Sequence, residues 1–338
     1  MARARERRAV APRPRERRPL NADEVGRRLY ETHPAAGTVS RRRGIVLLGL
    51  LPWSGTWIRE LRAQDTLVAP RVAVETAPTP PARGSVIWLY ARPAGTPDSG
   101  LTLEGSAAGE PLHFERLGDG RFRSLAGLPL EGGDTVPITL RLSTGGATDT
   151  VVVGLAVRQP SYPSERLTVA PHYAEPDSAA RARIEAELAQ SRAISRQAHD
   201  TPRLWAGAFV RPRPTRITST YGAAREFNGR VTSRHLGTDF AGEVGAPVRA
   251  AGHAVVAFVA DFYLAGHAVY LDHGGGLVTG YFHLSRVDVA AGDTVAVGQV
   301  VGGVGQSGRA TGPHLHWIAR YGGVTVDPIS LVELAEPE

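Results

Sequence analysis

Seven of the chain's eleven histidines fall between His235 and His316. Four of the seven stand in three short pieces: Ser233-Arg-His235-Leu-Gly-Thr-Asp239, Tyr281-Phe-His283-Leu-Ser285 and Gly312-Pro-His314-Leu-His316-Trp317. On a strand, residues i and i+2 project to the same face, so His314 and His316 present two imidazoles together while Leu315 turns away. The three-residue spacer between His235 and Asp239 lets an imidazole and a carboxylate converge on one ion if the chain bends, and Gly237 permits the bend. The chain has no cysteine, so disulfides and thiolate metal sites are excluded, and a zinc ion would be held by His and carboxylate. No histidine is followed by glutamate, which excludes the helical His-Glu-x-x-His zinc sites.

Over roughly residues 215–330 these pieces belong to an ordered set of motifs. It comprises Ser219-Thr-Tyr-Gly222, His235-x-x-x-Asp239, Ala246-Pro-Val-Arg-Ala250, Asp272-His-Gly274, His283-Leu-Ser285, Gly292-Asp293, Gly298-Gln299 and Thr311-Gly-Pro-His-Leu-His316. The set resembles the M23 family of zinc metallopeptidases, the lysostaphin and LytM class, which cut peptide cross-links in bacterial cell walls. The resemblance implies that His235, Asp239 and His316 bind one zinc ion and that His283 and His314 do the catalytic proton work. It also implies a barrel-like β fold of the duplicated hybrid motif type, and peptidoglycan peptides as substrate. His267 departs from the pattern, standing where a small polar residue such as Asn is expected.

The residue types suit that chemistry. Two neutral imidazoles and one carboxylate leave zinc a single positive charge and an open fourth position. A water there has its pKa lowered towards about 7, and two further histidines can accept its proton, stabilise an oxyanion and protonate a leaving amine. Which of His283 and His314 does which stays open at this level. Two other motifs compete. Gly303-x-Gly305-x-x-Gly308 matches a dinucleotide fingerprint, but no βαβ unit surrounds it, so it reads as a loop at the rim of the cleft. Ala291-Gly-Asp-Thr-Val-x-x-Gly298-Gln299 resembles a biotinyl or lipoyl carrier hairpin, yet the chain contains no lysine to carry a cofactor. His273 reads as a hairpin-turn residue, Trp317 and Phe282 as core residues facing away from the histidines, and His113, His172, His199 and His253 as partnerless.

The elements that must position these residues are mostly strands. Short Val-, Leu- and Thr-rich segments between glycines predict an all-β chain of two ordinary domains. The basic pI of about 10.0 suggests nucleic acid until the charge is located. Residues 1–43 hold 13 Arg against 5 acids, a surplus of +8 against +6 for the whole chain, so the remainder is net acidic and no nucleic-acid face is expected. Residues 1–40 read as a disordered basic leader, with translation expected to begin near Val39 instead. Residues 41–63, with three arginines before the apolar run Gly44–Leu51 and Ala63 before Gln64, read as a cleavable signal peptide. The run is too short for a permanent membrane anchor.

Residues 66–158 read as a small immunoglobulin-like β-sandwich acting as a spacer or partner-binding module. Thr135–Leu142 alternates cleanly within it, and Pro137 marks an edge strand. Gly118-Asp-Gly120 and Gly145-Gly146 are its hairpin turns. Residues 159–203 form a connector with a linker helix from Ser178 to Gln197, N-capped by Asp177 and anchored by Ile184 and Leu188. Residues 204–338 form the peptidase-like domain. The functional expectation is a periplasmic or secreted zinc endopeptidase acting on peptidoglycan through a zinc-activated water. The rivals are a non-catalytic wall-binding or hydrolase-activating protein of the same fold, and a cytoplasmic protein with a structural metal site.

Overall fold

A computed structural model describes residues 67–69, 72–95 and 100–334. The expected leader and signal peptide lie outside the described residues. The fold is all-β in class. Nine strands come first: β1 (Leu67–Ala69), β2 (Val72–Ala77), β3 (Val86–Pro93), β4 (Thr102–Ala107), β5 (Glu110–Pro111), β6 (Glu115–Arg116), β7 (Phe122–Gly127), β8 (Thr135–Thr144) and β9 (Ala147–Ala156). They make two sheets, ordered β1-β2-β3-β7-β6 and β5-β4-β8-β9, with Ile87, Leu89, Ile138 and Leu140 in the core between them. In β8 the alternating Val136, Ile138, Leu140 and Leu142 are all buried. The strand is not at an edge, however. Pro137 is tolerated because the pairing with β4 begins only at Ile138, so the missing N–H faces no neighbour there.

A connector follows, with β10 (Ser164–Leu167), α1 (Pro171–Ala174) and α2 (Ser178–Gln197). Asp177 caps α2 by accepting from the Ala180 N–H at 2.8 Å. Among the described residues, no helix is long and apolar enough to cross a membrane.

The rest of the chain is β11 (Ile217–Ser219), β12 (Ala224–Phe227), β13 (Arg230–Arg234), β14 (Thr238–Ala241), β15 (Pro247–Arg249), β16 (Ala254–Phe262), β17 (Gly266–Gly274), β18 (Leu277–Leu284), β19 (Arg286–Val287), β20 (Thr294–Val295), β21 (Val300–Gly303), β22 (His314–Tyr321), β23 (Val324–Val326) and α3 (Pro328–Val332). The main sheet runs β11-β14-β22-β18-β17-β16-β20, with β23 also on β22, and stays open. One face of it carries Phe240, Leu271, Tyr281, Leu315 and Trp317 into the largest core cluster. The other face carries the histidines and is covered at one end by α2.

The sandwich is more than a spacer. In β3, Ile87, Leu89 and Ala91 enter the sandwich core, while Val86, Trp88 and Tyr90 join the core of the main sheet with Trp205, Tyr321 and Val324. The unbroken apolar run Val86–Ala91 is the sequence signal of a strand buried on both faces. Arg123 lies over the Trp88 ring at 4.4 Å, and the Tyr321 hydroxyl donates to the Pro111 carbonyl at 2.7 Å. His273 lies inside β17 and not in the hairpin turn; it is fully buried, donates through Nδ1–H to the His253 carbonyl, and its Nε2 lies 2.8 Å from the Thr279 hydroxyl. Burial pushes its pKa down to about 4.

Two outcomes follow from this packing. Trp88→Ala removes a side chain from a shared core and should cost about 3–5 kcal/mol, with calorimetry giving one transition for both β units; two separate transitions in the wild type would contradict the shared core. Unfolded His273 binds protons below about pH 6.5, whereas the folded residue refuses them until about 4. Stability in chelator should therefore fall as pH drops through that window, by about 3 kcal/mol from this residue, and urea titrations of His273→Gln should show a shallower slope.

Candidate metal centre and cleft

The antiparallel pairing of β14 with β22 sets Asp239 opposite His316 and Ala241 opposite His314. Partners in register share a face, so the carboxylate and both imidazoles project to the same side, and the methyl of Ala241 leaves the His314 ring room. His235 enters from the turn before β14. A Cβ on Gly237 would lie 2.6 Å from His316 Cε1 and from the Trp317 carbonyl, so only glycine lets the turn pass this close.

The three side chains converge. His235 Nε2 lies 3.1 Å from Asp239 Oδ1 and 2.9 Å from His316 Nδ1, and His316 Nδ1 lies 2.7 Å from the same Oδ1. Among the described residues this is the single His/Asp/Glu group whose donor atoms all fall within 4.8 Å of one another. The orientation of each group is fixed from behind. His235 Nδ1–H donates to the Thr220 carbonyl at 2.9 Å, with the Ser219 hydroxyl equally near, which turns Nε2 to the cluster as a lone-pair donor. Asp239 Oδ2 accepts from Arg225 Nη2 at 2.6 Å, leaving Oδ1 for the histidines. Burial acts to raise the Asp239 carboxyl, but the contacts with His235 and His316 outweigh it and hold the pKa well below the usual range. Burial pushes His316 down to about 4. An ionised carboxylate, a neutral His316 ring and the aimed His235 nitrogen facing one point are a donor set that fits a divalent metal with a position left open.

His283 and His314 stand beside this cluster. Their ring centroids are 4.9 Å apart, and His314 Nε2 is 3.8 Å from Asp239 Oδ1. His283 Nδ1–H donates to the Ser307 carbonyl and His314 Nδ1–H to the Gly312 carbonyl, both at 2.7 Å, so Nε2 of each ring remains available. Burial, reinforced by His314 and His316, keeps His283 well below its ordinary pKa, so the ring is neutral. His283 reaches the site by a local irregularity. Phe282 lies opposite His316 and on its face, so strict alternation would send the next side chain away. A register shift between β17 and β18 and a positive φ of 60° at His283 turn it back.

Phe282 is buried as expected, in an apolar cluster with Phe262, Tyr270 and Ile318, but on the cleft face and not away from the histidines, its ring centroid 5.6 Å from that of His316; Trp317 is in the core as expected. His267 and His273 stay outside the cleft. His113 and His199 do have partners: their nearest nitrogens are 2.8 Å apart, and His199 Nε2 is 3.1 Å from Glu110, far from the histidine cluster in the sandwich contact. The apparent dinucleotide fingerprint begins at the end of β21 and supplies Ser307, whose carbonyl accepts from His283.

The cluster opens into a cavity of about 740 Å³ whose walls include Glu165 and Leu167 of β10, Ile184, Leu188 and Ser191 of α2, and Arg309–Pro313. The connector thus forms one side of the cleft. Sequence reasoning missed Arg225 and Glu165, which lie outside the histidine motifs and carry no spacing signal of their own.

Residues 233–328 match the model of peptidase family M23. Over 124 residues the chain is 42% identical to the DD-carboxypeptidase/endopeptidase Mpg of Neisseria meningitidis, covering 37% of this chain and 28% of that protein. Over 83 residues it is 45% identical to the peptidoglycan DD-endopeptidase ShyA of Vibrio cholerae, covering 25% of this chain and 19% of ShyA. The chain thus spans less than a third of the length of these curated relatives. A Pseudomonas aeruginosa crystal structure described as a candidate M23 peptidase shares the fold at a TM-score of 0.57 and 26% identity, covering 76% of this chain and 96% of that one. The matched segment contains all five clustered side chains, and it is this segment that carries the likeness to peptidase family M23.

Proposed function

We propose that the chain is a zinc endopeptidase that hydrolyses peptide cross-links of bacterial peptidoglycan, acting in the periplasm or after secretion. The observation that carries the reading is the meeting of His235, Asp239 and His316 with His283 and His314 in one cleft. His235, Asp239 and His316 would hold one zinc ion. When bound, zinc supplies a Lewis acid and lowers the pKa of a water it carries.

The chain's own groups do the remaining work. Nε2 of His283 and of His314 are neutral-ring acceptors or donors once Nδ1–H is committed to a backbone carbonyl. They can take a proton from the attacking water, hydrogen-bond the developing oxyanion and return a proton to the leaving amine. Holding His283 well below its ordinary pKa favours the proton-accepting form at neutral pH. Phe282 and the roof residues Ile184 and Leu188 screen the cleft from bulk water, which strengthens these interactions. Six arginines line the cavity against three acids, Glu165, Glu187 and Asp239, a balance that suits peptides bearing free carboxylates.

Zinc-loaded protein should release soluble peptide fragments from purified sacculi, and chelator or His235→Ala should stop the release. His314→Ala should lower the rate by about 100-fold or more while zinc stays bound. Equal release by His235→Ala would remove the metal mechanism. Zinc binding without any release by the wild type would favour the non-catalytic, hydrolase-activating alternative.

A further inference from the structure

We infer that Glu165, on the connector strand β10, is a positioning residue of the metal centre, and that the connector and the bound metal stabilise each other through it. The assignment rests on the metal-binding reading of His235 and Asp239. Its basis is a closed set of contacts. Glu165 Oε1 accepts from the Ser219 hydroxyl at 2.7 Å, and Oε2 accepts from Arg225 Nε at 3.1 Å. Arg225 Nη2 donates to Asp239 Oδ2 at 2.6 Å and to Ser219 Oγ at 2.9 Å, and Ser219 Oγ lies 2.9 Å from His235 Nδ1. One carboxylate therefore anchors the groups behind two of the three metal-facing side chains.

The geometry is set by strand pairing. β10 lies parallel to β12, with Glu165 in register with Arg225, so the two side chains share a face. β10 belongs to the connector and lies outside the segment that matches the family model. All three groups are mostly shielded: the Glu165, Arg225 and Asp239 side chains are 21%, 16% and 8% exposed. In such surroundings charge-assisted hydrogen bonds act more strongly than at an open surface. Without Glu165, the Arg225 guanidinium would be balanced by Asp239 alone. It would then compete with a metal for that carboxylate instead of orienting it. The Ser219 hydroxyl would lose its acceptor and be free to donate towards His235 Nδ1, disfavouring the tautomer that aims Nε2 at the cluster.

The coupling must run both ways, because a contact that raises metal affinity is itself strengthened by the metal. In the full chain, zinc affinity measured by chelator competition should fall about 10-fold to 100-fold in Glu165→Gln. Zinc should also slow hydrogen exchange of the Ser164–Leu167 amides in the wild type and much less in Glu165→Gln. An unchanged zinc affinity in a folded Glu165→Gln protein would overturn the inference. So would wild-type exchange in β10 that is indifferent to zinc, an arm that stands even if the variant fails to fold. Neither readout uses peptide hydrolysis. Protein that shows both effects yet leaves sacculi intact would sink the peptidase reading alone.

Discussion

The pairing of β14 with β22 is the interaction on which the site depends. It puts Asp239 and His316 in register, and the period of two along each strand then fixes everything else on that face. A slip of one residue would exchange the two faces of β22. Leu315 and Trp317 would be thrust into the cleft and both imidazoles into the apolar core. The cost of burying those rings unpaired, added to that of exposing a tryptophan, makes the correct register strongly preferred. Site geometry and core packing are therefore two sides of one choice. The core side supplies most of the energy, since Trp317, Tyr281, Leu315 and Phe240 are all fully buried.

Electrostatics set the second constraint. The cleft face gathers four histidines around one aspartate, in surroundings where a protonated ring is penalised. The protein keeps His283 and His316 neutral by burial and commits a ring nitrogen of His235, His283 and His314 to a fixed acceptor. The opposite strategy serves Asp239, whose charge is preserved by the Arg225 guanidinium at Oδ2 and by its contacts with His235 and His316. Neutral imidazoles and an ionised carboxylate are the protonation states in which such groups ligate a cation, and His316 and Asp239 are held in them.

Much of this was legible in the sequence because it rests on short, periodic features. His-x-His on a strand, the glycine-relieved spacer to Asp239, the N-cap of α2 and the alternation of β8 are local patterns with local causes. The parts that were not legible are irregular or distant. The residue after Phe282 reaches the cleft only through a bulge and a left-handed backbone, which no alternation rule anticipates. Strict alternation from His283 turns Phe282 away from the histidines, yet its buried ring stands opposite His316 on their face. Glu165 stands 70 residues before His235, and only the parallel pairing of β10 with β12 brings it near. Pro137 misled for the same reason: whether a proline lies at an edge depends on where the neighbouring strand stops, a property of another segment.

The connector and the sandwich show how far the site extends beyond its motifs. β3 is buried on both faces, so the sandwich and the main sheet share a core and hold each other at a fixed orientation. The connector leaves one and crosses the cleft of the other, with its ends tied to the sandwich through Arg83 N–H to the Arg158 carbonyl and to the main sheet through Leu204 N–H to the His273 carbonyl. A strap fixed at both ends can present β10 and α2 to the cleft with little freedom. That makes the cavity wall a property of the whole assembly, and the five clustered side chains only its floor.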